Sequence, residues 1–164
     1  MVDFSDLGRI IDEHPFFADM PKAHRELLVG CASNESFRAG DSVFREGDTA
    51  DKFYLIRSGS VAIEVHVPAR EPLVVQTLDD GDILGWSWLM APYTWTFDAK
   101  ALRVSRLIAL DAACLRRKME DDHALAYEML KRFVPVMGDR LKHARMQMLD
   151  MYGSPKDRRA GRNG

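Results

Sequence analysis

Apolar and polar residues follow two different periods along the chain, and the changes of period divide it into three parts. Before about residue 34 the apolar residues recur every three or four positions, as in amphipathic helices. We predict helices over Ser5–Glu13 and Pro21–Ser33, the second with Pro21 in its first turn, where a missing N–H is tolerated. Pro15 and the Phe16–Phe17 pair mark the break between the two helices.

From about residue 35 to 111 the pattern changes to short apolar runs separated by glycine-containing turns, which is typical of an all-β domain. Val61, Ile63 and Val65 alternate with Ala62 and Glu64, the period of two of a half-buried strand. The runs predict eight strands in a sandwich or barrel: Glu35–Phe37, Ser42–Phe44, Lys52–Arg57, Ser60–Val67, Leu73–Leu78, Ile83–Leu84, Thr96–Leu102 and Ser105–Asp111.

The helical period returns after Asp111, a candidate N-cap for a short helix over Ala112–Met119. A longer helix is predicted from about residue 122 to 152, where glycine and proline follow. Pro135 lies inside this helix and predicts a kink near Val134, because proline removes one backbone hydrogen bond and crowds the preceding turn. Residues 153–164, GSPKDRRAGRNG, are predicted to form a disordered basic tail.

Apolar residues also recur every seven positions along the long helix, which is typical of a coiled coil. The first two turns of this stripe are expected to pack on the protein's own sheet, whereas a single small barrel is too short to cover the helix beyond Leu141. Arg140, Lys142 and Arg145 lie off the stripe and are expected to be solvated. One seam holds Tyr127, Val134, Leu141 and Met148, and the other holds Leu130, Met137, Ala144 and Met151. We predict a homodimer through Val134, Met137, Leu141, Ala144, Met148 and Met151.

Composition excludes several classes of protein. The 164 residues suffice for one domain, predicted over residues 1–152, and the net charge of −2 argues against a nucleic-acid surface. The longest apolar runs are too short for a membrane span, and the acidic N-terminus is unlike a secretory signal, so we expect a cytoplasmic protein without membrane association. Cys31 and Cys114 are accordingly predicted to be two reduced thiols.

The chain also lacks the common signatures of enzymes. Its five histidines are scattered without the paired spacing of a metal site, and no nucleophile elbow, phosphate loop or carboxylate pair is present. We therefore predict a protein that is not an enzyme and that has neither a metal nor a cofactor.

The densest chemical signal is the segment GDILGWSWLMAPYTWTFDAKA at residues 81–101, which contains all three tryptophans. With residues 37–65, FRAGDSVFREGDTADKFYLIRSGSVAIEV, it resembles the cyclic nucleotide-binding domain of the catabolite-activator and kinase regulatory-subunit superfamily. The resemblance covers about residues 16–152 and implies a double-stranded β-helix, or jelly roll, with N-terminal helices and a long C-terminal helix. It also implies that residues 81–101 are the phosphate-binding cassette.

The cassette departs from the pattern of this superfamily at its two charged positions. The usual pattern has Gly-Glu followed by apolar residues and an arginine, the glutamate accepting the ribose 2′-hydroxyl and the arginine binding the phosphate. Here Gly85 is kept, Trp86 stands at the glutamate position, and Trp95 or a neighbour stands at the arginine position. The nearest base is Lys100. Binding of cyclic AMP in the manner of the family is therefore not expected.

Two interpretations of the aromatic residues stay open. Trp86, Trp88 and Trp95 either fill the hollow that a nucleotide would occupy or line a pocket for a different, uncharged or aromatic ligand. The predicted ligand-binding residues are Gly85, Trp86, Ser87, Trp88, Tyr93, Thr94, Trp95 and Thr96.

We predict a sensor or regulatory module that resembles the free-standing, single-domain bacterial members of the superfamily. The transcription factors of the superfamily add a helix-turn-helix domain after the long helix, so DNA binding is not expected here. Two alternatives remain: a cyclic-nucleotide receptor with a rearranged site, and an adaptor or regulatory subunit that binds another protein and no small molecule.

Overall fold

Eight strands form two antiparallel sheets, and two helices precede and two follow them in the computed structural model, which describes the backbone of residues 4–151 and the side chains of residues 6–150. The predicted fold class, an eight-stranded jelly roll with flanking helices, is confirmed. The helices are α1 (Phe4–Glu13), α2 (Lys22–Val29), α3 (Ala112–Asp121) and α4 (His123–Met151). The strands are β1 (Ala32–Phe37), β2 (Ser42–Phe44), β3 (Lys52–Ser58), β4 (Ser60–Val65), β5 (Leu73–Asp79), β6 (Ile83–Leu84), β7 (Asp98–Ala101) and β8 (Ser105–Asp111).

Each sheet has four strands, in the order β1-β8-β3-β6 in one and β2-β7-β4-β5 in the other. Both sheets contribute to one hydrophobic core, which is closed by the helices at its ends. Phe53 and Ile108 come from the first sheet, Val61 from the second, and Phe133 from α4; none of the four is exposed to solvent. The consecutive strands β5 and β6 are edge strands of different sheets, so the sandwich has an open side between them.

The second N-terminal helix is shorter than predicted, because β1 takes its last residues. Ala32 pairs with Leu110 and Ser33 with Ala109 in the antiparallel ladder of β1 and β8. These tertiary hydrogen bonds outweigh the weak local preference for helix. The predicted N-cap of α3 is confirmed, since the Oδ1 of Asp111 accepts a hydrogen bond from the N–H of Cys114 at 2.7 Å.

The prediction of two reduced thiols is wrong, because Cys31 and Cys114 form a disulfide with their Cα atoms 5.8 Å apart. The pairing of Ala32 with Leu110 places the residue before β1 beside the first turn of α3. The two cysteines are separated by 83 residues, a spacing that carries no local signal.

The α4 helix packs on the core through a face that the heptad count did not select. Leu125, Met129 and Phe133, spaced by four residues, are fully buried. The expectation that the first turns of the heptad seams pack on the sheet is wrong, since Tyr127 is 63% and Leu130 46% exposed. The helix is continuous through Pro135, and the kink near Val134 stays a prediction.

No helix within residues 4–151 is long and apolar enough to cross a membrane. The predicted basic tail at residues 153–164 lies outside the described residues, as does the side chain of Met151.

Candidate ligand site

The candidate site is built from the segment between β6 and β7, whose backbone is fixed to the turn between β2 and β3. Gly47 donates its N–H to the carbonyl of Trp95, and Trp95 donates to the carbonyl of Asp48, both at 2.9 Å. Ala50 donates to the carbonyl of Tyr93 at 2.7 Å. These three backbone bonds fix the position of the segment from Tyr93 to Trp95 independently of its side chains.

The indole of Trp95 lies inside the site and is only 4% exposed. It stacks on Phe44, with ring centroids 3.7 Å apart and an angle of 7° between the planes. Its other neighbour is Gly85, where an added β-carbon would lie 2.6 Å from the indole ring. The opening that a glycine at position 85 leaves is therefore occupied by Trp95.

Trp88 does not belong to the site, although it was predicted to. The short 3-10 helix at Ser87–Leu89 directs its side chain into the core, where it is fully buried. The indole stacks on Phe53 at 5.1 Å and meets the edge of Phe133 at 5.4 Å. Trp88 thus joins β3 to α4 and completes the core.

The cavity at the site has a volume of about 20 Å³, which is room for a single water molecule. Five predicted residues line it: Gly85, Trp86, Ser87, Trp95 and Thr96. Four further lining residues were missed: Phe44, Ile63, Phe97 and Arg140.

Two more of the predicted residues, Tyr93 and Thr94, lie outside the cavity wall. The guanidinium of Arg116 lies over the ring of Tyr93, 4.3 Å from the ring centroid. The same arginine donates to the carbonyl of Trp88 at 2.8 Å, so α3 holds both ends of the cassette turn. Thr94 forms an isolated β-bridge with Thr49.

The position of Arg140, on α4, was predicted wrongly. Arg140 was expected to be solvated, but it is half-buried and lines the cavity. Met129, Phe133, Val136 and Arg140 are spaced by four, three and four residues, so they lie on one face of α4. Met129, Phe133 and Val136 belong to the core cluster, and Arg140 therefore lies on the face that packs on the sheets. That helical count, rather than the heptad count, could have found it.

One charged residue, Arg140, lines the cavity beside aromatic rings. Burial lowers the pKa of the Arg140 guanidinium, and the nearby carboxylates of Asp82 and Asp139 oppose this effect in part. The group still carries its charge, because arginine is protonated at any physiological pH. Among the described residues no carboxylate lines this cavity, but Asp82 and Asp139 line the neighbouring cavity of about 230 Å³ together with Arg140. The side chain of Lys100 is exposed on β7.

The acidic and histidine side chains of the described residues form no cluster of three that could hold a metal ion. The polar residues that line the cavity are Ser87, Thr96 and Arg140. The guanidinium of Arg140 donates to Gln76 and to the carbonyl of Ile83, which line a neighbouring cavity of about 230 Å³. Such a set can bind or orient a small molecule.

The fold is a jelly-roll domain with a small cavity between the segment that follows β6 and the C-terminal helix α4. A family model described as "cyclic nucleotide-binding domain" matches residues 34–122, more than half of the 164 residues. The chain belongs to the cyclic nucleotide-binding domain family.

Two curated relatives are regulators. The chain is 25% identical over 115 residues to a CRP-like cAMP-activated global transcriptional regulator of Mycobacterium tuberculosis, covering 70% of this chain and 50% of the relative. It is 32% identical over 76 residues to a cAMP-dependent protein kinase regulatory subunit of Schizosaccharomyces pombe, covering 46% of this chain and 18% of the relative. The chain therefore spans half or less of the length of these relatives.

Among solved structures, a cyclic nucleotide-binding domain from Methylobacillus flagellatus superposes with a TM-score of 0.73. The match covers 90% of this chain and 83% of that chain at 17% sequence identity. At this identity the likeness shows the fold alone.

Proposed function

We propose that this chain is a sensor or regulatory module, not an enzyme, and that its ligand is not cyclic AMP bound in the manner of the family. The observation that carries this proposal is the position of Trp95, whose indole stacks on Phe44 and fills the space above Gly85. The remaining cavity of about 20 Å³ is far too small for a nucleotide.

The charges at the cassette support the same proposal. Trp86 has one hydrogen-bond donor and no acceptor, so it cannot accept a bond from a ribose hydroxyl as a glutamate does. Trp95 cannot form the bidentate contact of an arginine with a phosphate. Charge-assisted hydrogen bonds contribute about 1.5–3 kcal/mol each, and the loss of two such contacts lowers affinity roughly a hundredfold or more.

Calorimetric titration of the full chain with cyclic AMP and cyclic GMP tests the proposal. We expect no saturable binding at micromolar concentration, and we expect the double variant Trp86→Glu with Trp95→Arg to gain measurable affinity. A micromolar dissociation constant for the unaltered chain would sink the proposal and favour the alternative of a cyclic-nucleotide receptor with a rearranged site.

We also propose a homodimer through α4. The support is the exposed heptad face of a long helix: Val134 is 62%, Leu141 72% and Met148 58% exposed. Ala144 is also exposed and Met137 half-buried. Apolar side chains at heptad spacing are the usual seam of two packed helices.

Sedimentation of two matched variants tests the dimer. Leu141→Asp places a charge on the seam and should yield a monomer, whereas Leu149→Asp changes a residue off the seam that is also largely exposed, at 60%. An unaltered dimer with Leu141→Asp contradicts the seam, and a monomeric native chain contradicts the dimer itself.

A cytoplasmic location stays a prediction. The disulfide between Cys31 and Cys114 runs against it, because disulfides are rare in reducing compartments. Thiol labelling of the protein in cell extracts, prepared under acid quench, decides between the bonded and the reduced pair.

A further inference from the structure

A further cavity, of about 240 Å³, lies between α1 and the end of β3. Arg9 and Glu13 on α1, His14 directly after the helix, and Arg57 on β3 supply the charged and ionisable side chains of its wall. The described residues that line it include none of those at the cassette cavity. A ligand bound here is therefore separate from a ligand bound at the cassette.

His14 brings a buried hydrogen-bond donor to this wall. The residue is 8% exposed, and its Nδ1 accepts a hydrogen bond from the N–H of Phe16 at 3.1 Å. A ring nitrogen that accepts a bond carries no proton, so the proton of the neutral ring is on Nε2. This Nε2 is buried and has no hydrogen-bond partner among the described residues. An acceptor supplied by a ligand would satisfy it.

The charge on His14 is set by burial and by one carboxylate. Burial lowers the pKa of the imidazole, and the carboxylate of Asp82 opposes this effect in part. The ring is therefore a neutral donor at physiological pH. Asp82 does not line the cavity, and its Oδ2 already accepts a hydrogen bond from the N–H of Asp79 at 2.9 Å.

The two arginines of the wall are only weakly paired within the protein. No carboxylate of the described residues lies within 4.0 Å of the nitrogens of Arg57. Arg9 pairs with Asp6 at 3.6 Å, but both side chains are more than half exposed, and such pairs contribute little. Glu13 is the one acid among the lining residues, so the wall carries two positive charges and one negative.

A β-bulge sets the position of Arg57. Ile56 pairs with Leu107 and Ser58 pairs with Arg106, so Arg57 has no residue of β8 opposite it. A bulge redirects a side chain out of the regular alternation of its strand, and bulges are frequent beside binding sites. The irregular end of β3 and the face of α1 thus bring their arginines to one cavity.

We propose that this cavity binds the phosphate group of a small molecule, with Arg9 and Arg57 as cationic partners and the Nε2–H of His14 as a third, neutral donor. A phosphate monoester has three terminal acceptor oxygens, whereas a carboxylate has two, so donors from three segments of the chain suit a phosphate better. The proposal goes beyond the proposed function, because it gives the module a second ligand site. A bound phosphate joins α1 to β3.

Calorimetric titration of the full chain with inorganic phosphate, glycerol 3-phosphate and acetate tests the ligand class. We expect at least one of the two phosphate compounds to bind with a dissociation constant of about 1 mM or tighter, and at least tenfold more tightly than acetate. Tighter binding of glycerol 3-phosphate identifies a monoester as the ligand, and binding of inorganic phosphate that is equal or tighter identifies free phosphate. No saturable binding of either compound, or equally tight binding of acetate, would overturn the proposal.

A matched pair of variants tests the arginine on β3. Arg57→Gln and Arg106→Gln each remove one positive charge from an exposed position of the same sheet. Arg57→Gln should weaken phosphate at least tenfold and abolish the rise in melting temperature that phosphate gives the native chain. Arg106→Gln should change neither. Equal affinities of the two variants contradict the site.

Two variants of His14 separate its donor from its structural role. His14→Asn keeps an acceptor for the N–H of Phe16 but has no group at the position of Nε2, whereas His14→Gln places an amide N–H near that position. His14→Asn should weaken phosphate about threefold or more, and His14→Gln less. Equal losses contradict the third donor. Should either variant fail to fold, the Nε2–H proton resonance of the native chain decides, since bound phosphate should shift it and an unchanged resonance contradicts the contact.

Failure of this proposal and failure of the proposed function give different results. If cyclic AMP binds at micromolar concentration and Arg57→Gln leaves its affinity unchanged, the proposed function fails and the phosphate site stands. If neither phosphate compound binds, the phosphate site fails, and the cyclic AMP titration alone decides the proposed function.

Discussion

Trp88 and Trp95 lie in one short segment and are both buried, yet they serve different parts of the molecule. Trp88 is fully enclosed between Phe53 of β3 and Phe133 of α4. Trp95 stacks on Phe44 at the wall of the cavity and presses against Gly85. The first indole closes the core, whereas the second fills the hollow of the candidate site. Burial by itself therefore does not tell an aromatic residue of the core from one that lines a candidate site.

Removal of Trp88 should have the largest effect on stability. Trp88→Ala leaves a cavity in a closed core and should lower the free energy of unfolding by about 3–5 kcal/mol, measured by urea denaturation. Trp88→Phe keeps a ring against Phe53 and should cost clearly less. A loss below about 1 kcal/mol for the alanine variant would contradict the assignment of Trp88 to the core.

Removal of Trp95 should cost less and create a binding site. Trp95→Ala should lower the free energy of unfolding by about 2–3 kcal/mol, since the space it leaves already borders the cavity. Added indole should fill this space and raise the melting temperature of the variant, because a ligand that binds only the folded state stabilises it. Trp88→Ala is the control. If indole raises the melting temperature of both variants, or of neither, Trp88 and Trp95 do not occupy different kinds of site.

Gly85→Ala tests the contact between position 85 and Trp95. The new β-carbon would lie 2.6 Å from the indole, so the ring must move, at a cost of about 1–3 kcal/mol. Gly47→Ala is the matched control: its φ of +88° is close to the +95° of Gly85, and an added β-carbon there meets nothing within 4 Å. Both variants carry the backbone strain, and the difference between their unfolding free energies measures the clash. Equal losses would contradict the contact.

Arg116→Ala should have the smallest effect of the four. It removes the cation from the ring of Tyr93 and the hydrogen bond to the carbonyl of Trp88. The two contacts are partly exposed, so the expected loss is about 1 kcal/mol. Arg117→Ala, at the exposed neighbouring position, should change the stability by a few tenths at most. A loss equal in both variants would show that Arg116 does not hold the cassette.

Local patterns predicted most of the strands because turn residues and apolar runs fall at their ends. The observed β2 (Ser42–Phe44), β6 (Ile83–Leu84) and β8 (Ser105–Asp111) have the predicted bounds. The start of β1 was missed, because Ala32 and Ser33 continue a helical spacing and are strands only through their pairing with β8. Pairing between distant segments leaves no period in the sequence.

The same limit explains what was missed at the site. The cassette was found because its aromatic residues and glycines are close together in the chain. Arg140 and Phe44 are far from it in sequence, and only the docking of α4 and the stacking on Trp95 bring them to the cavity. The disulfide of Cys31 with Cys114 is likewise a product of the β1–β8 ladder.

That disulfide also makes the barrel a covalent ring. All eight strands lie between Cys31 and Cys114, so the bond closes the chain around the whole sandwich. A single proteolytic cut in any loop from residue 38 to 104 therefore leaves the two fragments attached to each other. They should run as one species on a gel without reductant and as two with it. The helices α1 and α2 and the helix α4, which carries Arg140, thus stay covalently joined even when a loop between the strands is cut.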